Sequence, residues 1–247
     1  MKSIERHKLK ENEFARSVAH ARDVVQQRGS DIAKVIIAVV VVLAVIGGYF
    51  LWRATRDAKA NERLAAALAT YQMPVVPPTP PAPGSPPPVP QPGTFQTDQE
   101  RLNAALPKFV EAANAYPDSD AGIAARFHAA GILAALGKHA EAEQRYKEVI
   151  DKAGTTIYGR TARLGMAEAQ VAQGKFDNAI SVYTELSRDT SSTLPLDGVL
   201  LHLGRAYARA GKKEEAVRAF TRVVDEFPQS SYAADARREL EEAKKRS

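Results

Sequence analysis

Hydrophobic and polar positions in the second half of the chain repeat with a period of 37 residues. Alanine recurs at this spacing, at Ala105, Ala142, Ala179 and Ala216. An aromatic residue follows each alanine by four positions, at Phe109, Tyr146, Tyr183 and Phe220. Glycine followed by lysine keeps the same period, with the glycines at Gly137, Gly174 and Gly211. Three registers that share one period predict a chain built from repeated units.

Each unit has the pattern of two helices joined by a tight turn. Glycine just beyond an apolar helical stretch can adopt the positive φ that ends a helix. Acidic residues such as Glu141, Asp177 and Glu214 are typical of the first turn of the next helix. The repeated alanine is expected where two helix backbones approach closely, and the aromatic residue one turn later where one hairpin meets the next. The predicted fold class is all-α, an α-solenoid of helical hairpins.

An uncharged stretch precedes the repeats. Residues 35–52 form a run of 18 residues without charge between Lys34 and Arg53. Such a run is long enough to cross about 30 Å of hydrocarbon, and the tyrosine, phenylalanine and tryptophan at its end are typical of a membrane interface. A cleavable signal peptide is the rival interpretation, but the preceding tail is long and no small-residue cleavage pattern follows. We therefore expect a single N-terminal transmembrane helix.

Lysine and arginine favour a cytoplasmic N-terminus. Within 20 residues of the apolar run the two sides tie at four, but the whole tail of residues 1–34 carries eight. Positive charge on short flanking segments marks the cytoplasmic side of a membrane. The repeats are then expected on the other side, which in a bacterium is the periplasmic side of the inner membrane.

Composition sets the remaining boundaries. Residues 53–72 have the pattern of a juxtamembrane helix, residues 73–98 contain eleven prolines, and residues 99–247 hold the repeats and a C-terminal capping helix. The proline-rich segment has two interpretations, a semi-rigid spacer that lifts the repeats off the membrane or a loop. As a loop, it would let the helix at 53–71 pack as the missing first helix of a half-unit at 98–116.

Charge and composition argue against several functions. The formal net charge of +5 is small and mixed in sign along the chain, so a dedicated nucleic-acid surface is not expected. The chain has no cysteine, which excludes disulfides and thiolate zinc sites. Its five histidines are scattered, with no metal-binding spacing, phosphate-binding loop or nucleophile motif. We expect no enzyme activity, catalytic residue, cofactor, metal or small-molecule substrate.

The repeats resemble the tetratricopeptide family. The last unit matches the family signature position for position, with Leu203, Gly204, Tyr207, Ala216, Phe220, Val223 and Pro228. The unit at 160–196 matches less well, because Gln170 occupies the place of Tyr207. The units are three residues longer than the family's usual length of about 34.

The resemblance implies a concave groove lined by the first helix of each hairpin. In that register the groove residues are Phe127, Thr161, Leu164, Glu168, Val171, Leu201, Arg205 and Arg209. Their mixture of apolar and charged side chains suits an extended or helical polypeptide as the ligand. The family members that clamp acidic chaperone C-termini use lysine and asparagine at fixed groove positions, and this chain lacks them there.

The order of the parts resembles the ancillary subunits of the bacterial protein-export translocon, which are single-span inner-membrane proteins. This resemblance implies protein partners, namely export-channel subunits, periplasmic chaperones or client polypeptides, although the proline-rich segment departs from it. Two alternatives remain open. One is the coordination of outer-membrane or cell-wall assembly, and the other is a scaffold whose hydrolase or sensor part lies in a partner. Fold alone does not choose among them.

Overall fold

The computed structural model describes residues 2–78, 91–189 and 194–245. Nine α-helices lie in these parts of the chain, and an isolated bridge joins Val75 to Phe95. The helices are α1 (Lys2–Tyr71), α2 (Asp98–Ala115), α3 (Asp120–Ala135), α4 (His139–Ala153), α5 (Ile157–Ala172), α6 (Phe176–Arg188), α7 (Leu196–Arg209), α8 (Lys213–Glu226) and α9 (Ala233–Lys245). The prediction of an all-α fold built from helical hairpins is confirmed.

The chain divides into two compact units, Met1–Arg56 and Asp57–Ser247. The first unit contains the N-terminal part of α1, where the large apolar side chains of residues 35–52 are 45–71% exposed. Among the described residues, one helical segment, Ala33–Tyr71, is long and apolar enough to cross a membrane. The second unit begins within α1 and holds all the hairpins.

Glycine ends the first helix of three successive hairpins, as the sequence predicts. The φ angles of Gly137, Gly174 and Gly211 are 76°, 75° and 74°. In each turn the N–H of the following lysine donates a 2.9 Å hydrogen bond to the carbonyl five residues earlier, which closes the helix end. Helix starts are capped by Thr97, Ser119 and Thr156, whose hydroxyls accept a bond from the backbone N–H three residues on.

The C-terminal part of α1 packs against α2 as the first hairpin of the second unit. Ala67 of α1 and Phe109 of α2 are both fully buried in one core cluster. The ammonium group of Lys108 donates a 2.7 Å hydrogen bond to the hydroxyl of Thr70 across this contact. The described ends of the proline-rich segment are paired as well, because the N–H of Val76 donates to the carbonyl of Phe95 at 2.8 Å. These contacts join the two sides of the proline-rich segment to one another.

Each hairpin meets the next through an aromatic ring and the residue 19 positions further along. Phe109 stacks on His128 with ring centroids 5.1 Å apart, and Tyr183 stacks on His202 at 5.9 Å. Burial lowers the pKa of both imidazoles, so these histidines are neutral rings at neutral pH. We call each such contact between neighbouring hairpins a seam. The expectation that the repeated aromatics fill the gaps between hairpins is confirmed at these two seams.

The seam between them has glycine in place of histidine. The ring of Tyr146 lies against Gly165, where a Cβ atom would stand 2.5 Å from the Cζ atom of the ring. Glycine leaves space for the aromatic ring, although it lowers the intrinsic stability of a helix. The repeated alanines meet the predicted requirement for close helix approach; Ala105, Ala142, Ala179 and Ala216 are each 0% exposed.

A polar network accounts for Gln170, the residue that departs from the family signature. Its Nε2 atom donates a 2.9 Å hydrogen bond to the carboxylate of Glu143 on α4. The same carboxylate accepts bonds of 2.8 Å from Gln173 and Lys175. Burial acts to raise the pKa of Glu143, but the hydrogen bonds from Lys175, Gln170 and Gln173 outweigh it and leave the pKa below its usual value. The network therefore ties α4 to the end of α5.

We expect Gly165→Ala to destabilise the second unit. The new Cβ would overlap the Tyr146 ring, and displacing this packed ring costs about 1–3 kcal/mol. That loss exceeds the gain of about 1 kcal/mol in helix propensity. Gly131→Ala is the matched control, because its Cβ would lie 3.7 Å from the Tyr146 hydroxyl, an ordinary contact. Chemical denaturation should show the control to be more stable than wild type, and a more stable Gly165→Ala would contradict the packing.

Replacing Glu143 by glutamine should lower the free energy of unfolding by about 1–2 kcal/mol at neutral pH, because a charged acceptor of three hydrogen bonds is lost. The folded-state pKa of Glu143 lies below 4.5, so this contribution is present above that pH and is lost as the pH falls through the folded-state value. Denaturation of both proteins at neutral pH and at about pH 3.5 measures the change. The difference in the free energy of unfolding between wild type and Glu143→Gln should be smaller in acid. A difference that does not change with pH would show that the charge is not what stabilises the network.

Candidate protein-binding groove

The first helices of three hairpins, α3, α5 and α7, carry the side chains predicted to line a groove. Five of these side chains are partly exposed, namely Phe127, Thr161, Leu164, Val171 and Arg205. Two more, Glu168 and Arg209, are exposed. On α5 the groove positions 161, 164, 168 and 171 are three or four residues apart, so they share one face of the helix. Seven of the eight predicted residues are therefore accessible.

Leu201 is the exception, and the expectation that it lines an open groove is corrected. Its side chain is 1% exposed. It packs in the same core cluster as Ala236 and Leu240 of α9. The terminal helix covers this part of α7, so Leu201 contributes to the core and is not available to a ligand.

An aromatic cluster stands at the α3 end of the groove. The ring of Phe127 contacts Tyr146 and Tyr158 edge to face, with centroid distances of 6.0 Å and 5.7 Å. Tyr158 was missed in the sequence, although it precedes Thr161 by one turn and continues the same helix face. Tyr146 was assigned only to packing, and it is 6% exposed behind Phe127. The cluster offers a partly exposed apolar surface.

Glu168 lies on α5, the middle of the three helices that carry the candidate groove residues. Its side chain is 49% exposed, and its Oε1 atom is 3.6 Å from Nε2 of His202. Partial burial of its carboxyl group raises the pKa of Glu168. Burial, followed by the charge of Glu168, raises the pKa of Tyr146 to about 12 and also raises that of Tyr183. The negative charge of Glu168 therefore disfavours ionisation of the phenols at two successive seams, and both phenols remain neutral.

Arginines occupy the α7 end of the groove. The Nε atom of Arg205 donates a 2.9 Å hydrogen bond to Glu239 of α9, and its terminal nitrogen lies 3.2 Å from the Asp235 carboxylate. Arg209 is exposed one turn further on. A cleft of about 580 Å³ opens here; its lining includes Arg205, Arg209, Lys213, Phe220, Glu239 and Glu242. This end of the groove combines both signs of charge with an apolar floor.

The described residues hold no group of three or more histidine, aspartate or glutamate side chains that could bind a metal ion. Stacked helical hairpins with glycine turns and one accessible wall are the architecture of tetratricopeptide-type solenoids. Folds of this class are typically non-catalytic scaffolds for protein interactions. A family model described as a tetratricopeptide repeat-like domain matches residues 30–245, so the chain belongs to this family. A search of curated proteins found no match.

Two solved structures are similar to this chain at low sequence identity. A Podosopora anserina protein described as a kinesin light chain with nearly identical TPR-like repeats has a TM-score of 0.56 and 14% identity, over 76% of this chain and 85% of that one. A tetratricopeptide repeat protein from Parabacteroides merdae has a TM-score of 0.49 and 19% identity, over 60% of this chain and 56% of that one. At 14% identity, the first likeness supports the fold alone.

Proposed function

We propose that this protein is a membrane-anchored scaffold that binds other proteins through the groove of its helical repeats. The observation that carries the proposal is the exposure of the apolar side chains at residues 35–52 in a chain whose other unit is a tetratricopeptide solenoid. Soluble proteins rarely expose an apolar surface of this extent, and a lipid bilayer is the environment that covers it.

The dimensions of the apolar segment support an anchor. Eighteen helical residues are about 27 Å long, close to the thickness of the hydrocarbon core. Trp52 lies at its C-terminal end, with the guanidinium carbon of Arg56 5.4 Å from the centre of its ring. Aromatic and basic residues at one end of an apolar helix are typical of the membrane interface. We assign residues 1–34 to a cytoplasmic tail, 35–52 to the membrane and 53–72 to a juxtamembrane helix.

The charge distribution supports an orientation with the N-terminus in the cytoplasm. The tail has eight lysines and arginines, and the 20 residues after the anchor have four. The repeats of residues 99–247 then lie in the periplasm of a bacterium, beyond a proline-rich linker or loop at 73–98. We place the protein in the inner membrane as a single-pass protein.

The groove suits a polypeptide ligand. Its accessible wall runs from the aromatic cluster at Phe127, past Leu164 and Glu168, to Arg209, and so alternates apolar and charged contacts. Tethering to the membrane raises the local concentration of the groove near membrane partners, so modest affinity is sufficient for binding. The order of anchor and repeats favours export-channel subunits, periplasmic chaperones or emerging client polypeptides as the partners.

Photo-crosslinking in the native host tests the partner. A photoreactive amino acid at Leu164 should give adducts with export-channel subunits or periplasmic chaperones, identified by mass spectrometry. The same amino acid at Arg218, which is 65% exposed on α8, is the control and should not give these adducts. Adducts with cell-wall or outer-membrane assembly proteins would support that role instead. Equal adducts from both positions would contradict binding in the groove.

Single cysteines test the anchor and its orientation, because the natural chain has none. A membrane-impermeant maleimide should label Glu185→Cys, an exposed site on α6, in cells whose inner membrane is intact. It should label Ser3→Cys only after the inner membrane is permeabilised. Both variants should remain in the membrane fraction after alkaline washing. The opposite labelling pattern would reverse the orientation, and release by alkali would contradict the anchor.

A further inference from the structure

The groove contains one negative charge that the described residues leave without a cationic partner. Within the described parts of the chain, no lysine or arginine lies within ion-pairing distance of the Glu168 carboxylate, and the basic group that does is His202, at 3.6 Å. Burial lowers the pKa of His202, so its imidazole carries no charge at neutral pH. A half-exposed carboxylate in a binding groove is thus available to a cation from outside.

Neither arginine of the adjoining helix α7 supplies this cation, since Arg209 forms no ion pair with Glu168 among the described residues. Arg205 of α7 is held by Glu239 and Asp235 of α9, at 2.9 Å and 3.2 Å. These two carboxylates direct its guanidinium toward the capping helix. A cationic partner for Glu168 would therefore come from a ligand.

The surroundings of Glu168 would strengthen such an interaction. Its charge acts on the phenols of Tyr146 and Tyr183, and Tyr146 contacts Phe127. A cation entering this partly apolar space would lose some water, and charge-assisted hydrogen bonds are stronger in a lower dielectric.

We infer that Glu168 binds the side chain of a lysine or arginine on the bound polypeptide, while Phe127 and Tyr158 contact an apolar residue of the same segment. This inference rests on the proposed function, since it specifies the chemistry of the groove's ligand. A basic residue next to an apolar one is the recognition element, and the charge complementarity with Glu168 selects it. An acidic segment would be repelled at the same position.

A peptide array tests the inference with the full-length protein in detergent micelles. The probes are immobilised 13-residue peptides of random sequence. The peptides bound by wild type should be enriched in lysine and arginine, and this enrichment should disappear for Glu168→Gln. Glu185→Gln, on the exposed side of α6, removes the same charge elsewhere and should retain the enrichment.

The strongest lysine-containing peptide then serves for a double-mutant cycle. Replacing its lysine by norleucine should weaken binding to wild type about tenfold, and the same replacement should have little effect on binding to Glu168→Gln. Binding to wild type should also weaken as salt is added. If norleucine weakens binding to both proteins equally, the lysine does not bind Glu168 and the inference is wrong.

Two further measurements separate the possible failures. The melting temperature of Glu168→Gln should not be below that of wild type, because burial already disfavours the charged carboxylate in the fold. A photoreactive leucine in the peptide should crosslink to α3, α5 or α7. Crosslinks elsewhere, or no bound peptide at all, would overturn both the groove as the binding site and the inference. Crosslinks in the groove without any effect of Glu168→Gln would overturn the inference alone.

Discussion

The contact between an aromatic ring and the residue 19 positions further along is the constraint on which the helical repeats depend. A hairpin of two short helices cannot bury its apolar face alone, and stacking supplies the missing cover. Phe109 on His128 and Tyr183 on His202 show this contact as ring stacking, and Tyr146 on Gly165 shows it as a ring against bare backbone. The residue that meets the ring differs in size between seams, being histidine at two of them and glycine at the third. An aromatic ring is present at all three.

The seams also position the helices that carry the candidate groove residues. The tyrosine rings lie behind the first helices, so they set the spacing of those helices and provide neutral surroundings for Glu168. The carboxylate of Glu168 and the imidazole of His202 stand on adjacent helices because the hairpins are stacked in this way. Packing and the proposed ligand binding therefore involve the same side chains, and a change in a seam should alter both.

The end of the stack shows how one helix changes the role of a groove position. By the repeat pattern Leu201 corresponds to Leu164, which is partly exposed. On α7 the position is covered by α9, whose carboxylates also hold Arg205. The terminal hairpin is thus closed by apolar packing and ion pairs together, as a capping element requires.

Local physical chemistry lets the sequence alone determine the helices and their turns. The structural consequences of four features could be read from the sequence: the 37-residue period, the glycines with positive φ, the buried alanines and the uncharged run at 35–52. Each consequence depends on helix geometry, sterics or hydration, which act between residues close in the chain. Most groove positions could be predicted for the same reason, because Thr161, Leu164 and Glu168 share one face of one helix.

Only the tertiary structure decided what depends on residues distant in the chain. Three features depend on contacts between different helices. They are the burial of Leu201 by α9, the hydrogen bond from Gln170 to Glu143, and the contact of Tyr158 with the ring of Phe127. The periodicity of one helix carries no information about which neighbour covers it. The unneutralised charge of Glu168 is of the same kind, since it depends on where the arginines of other helices point.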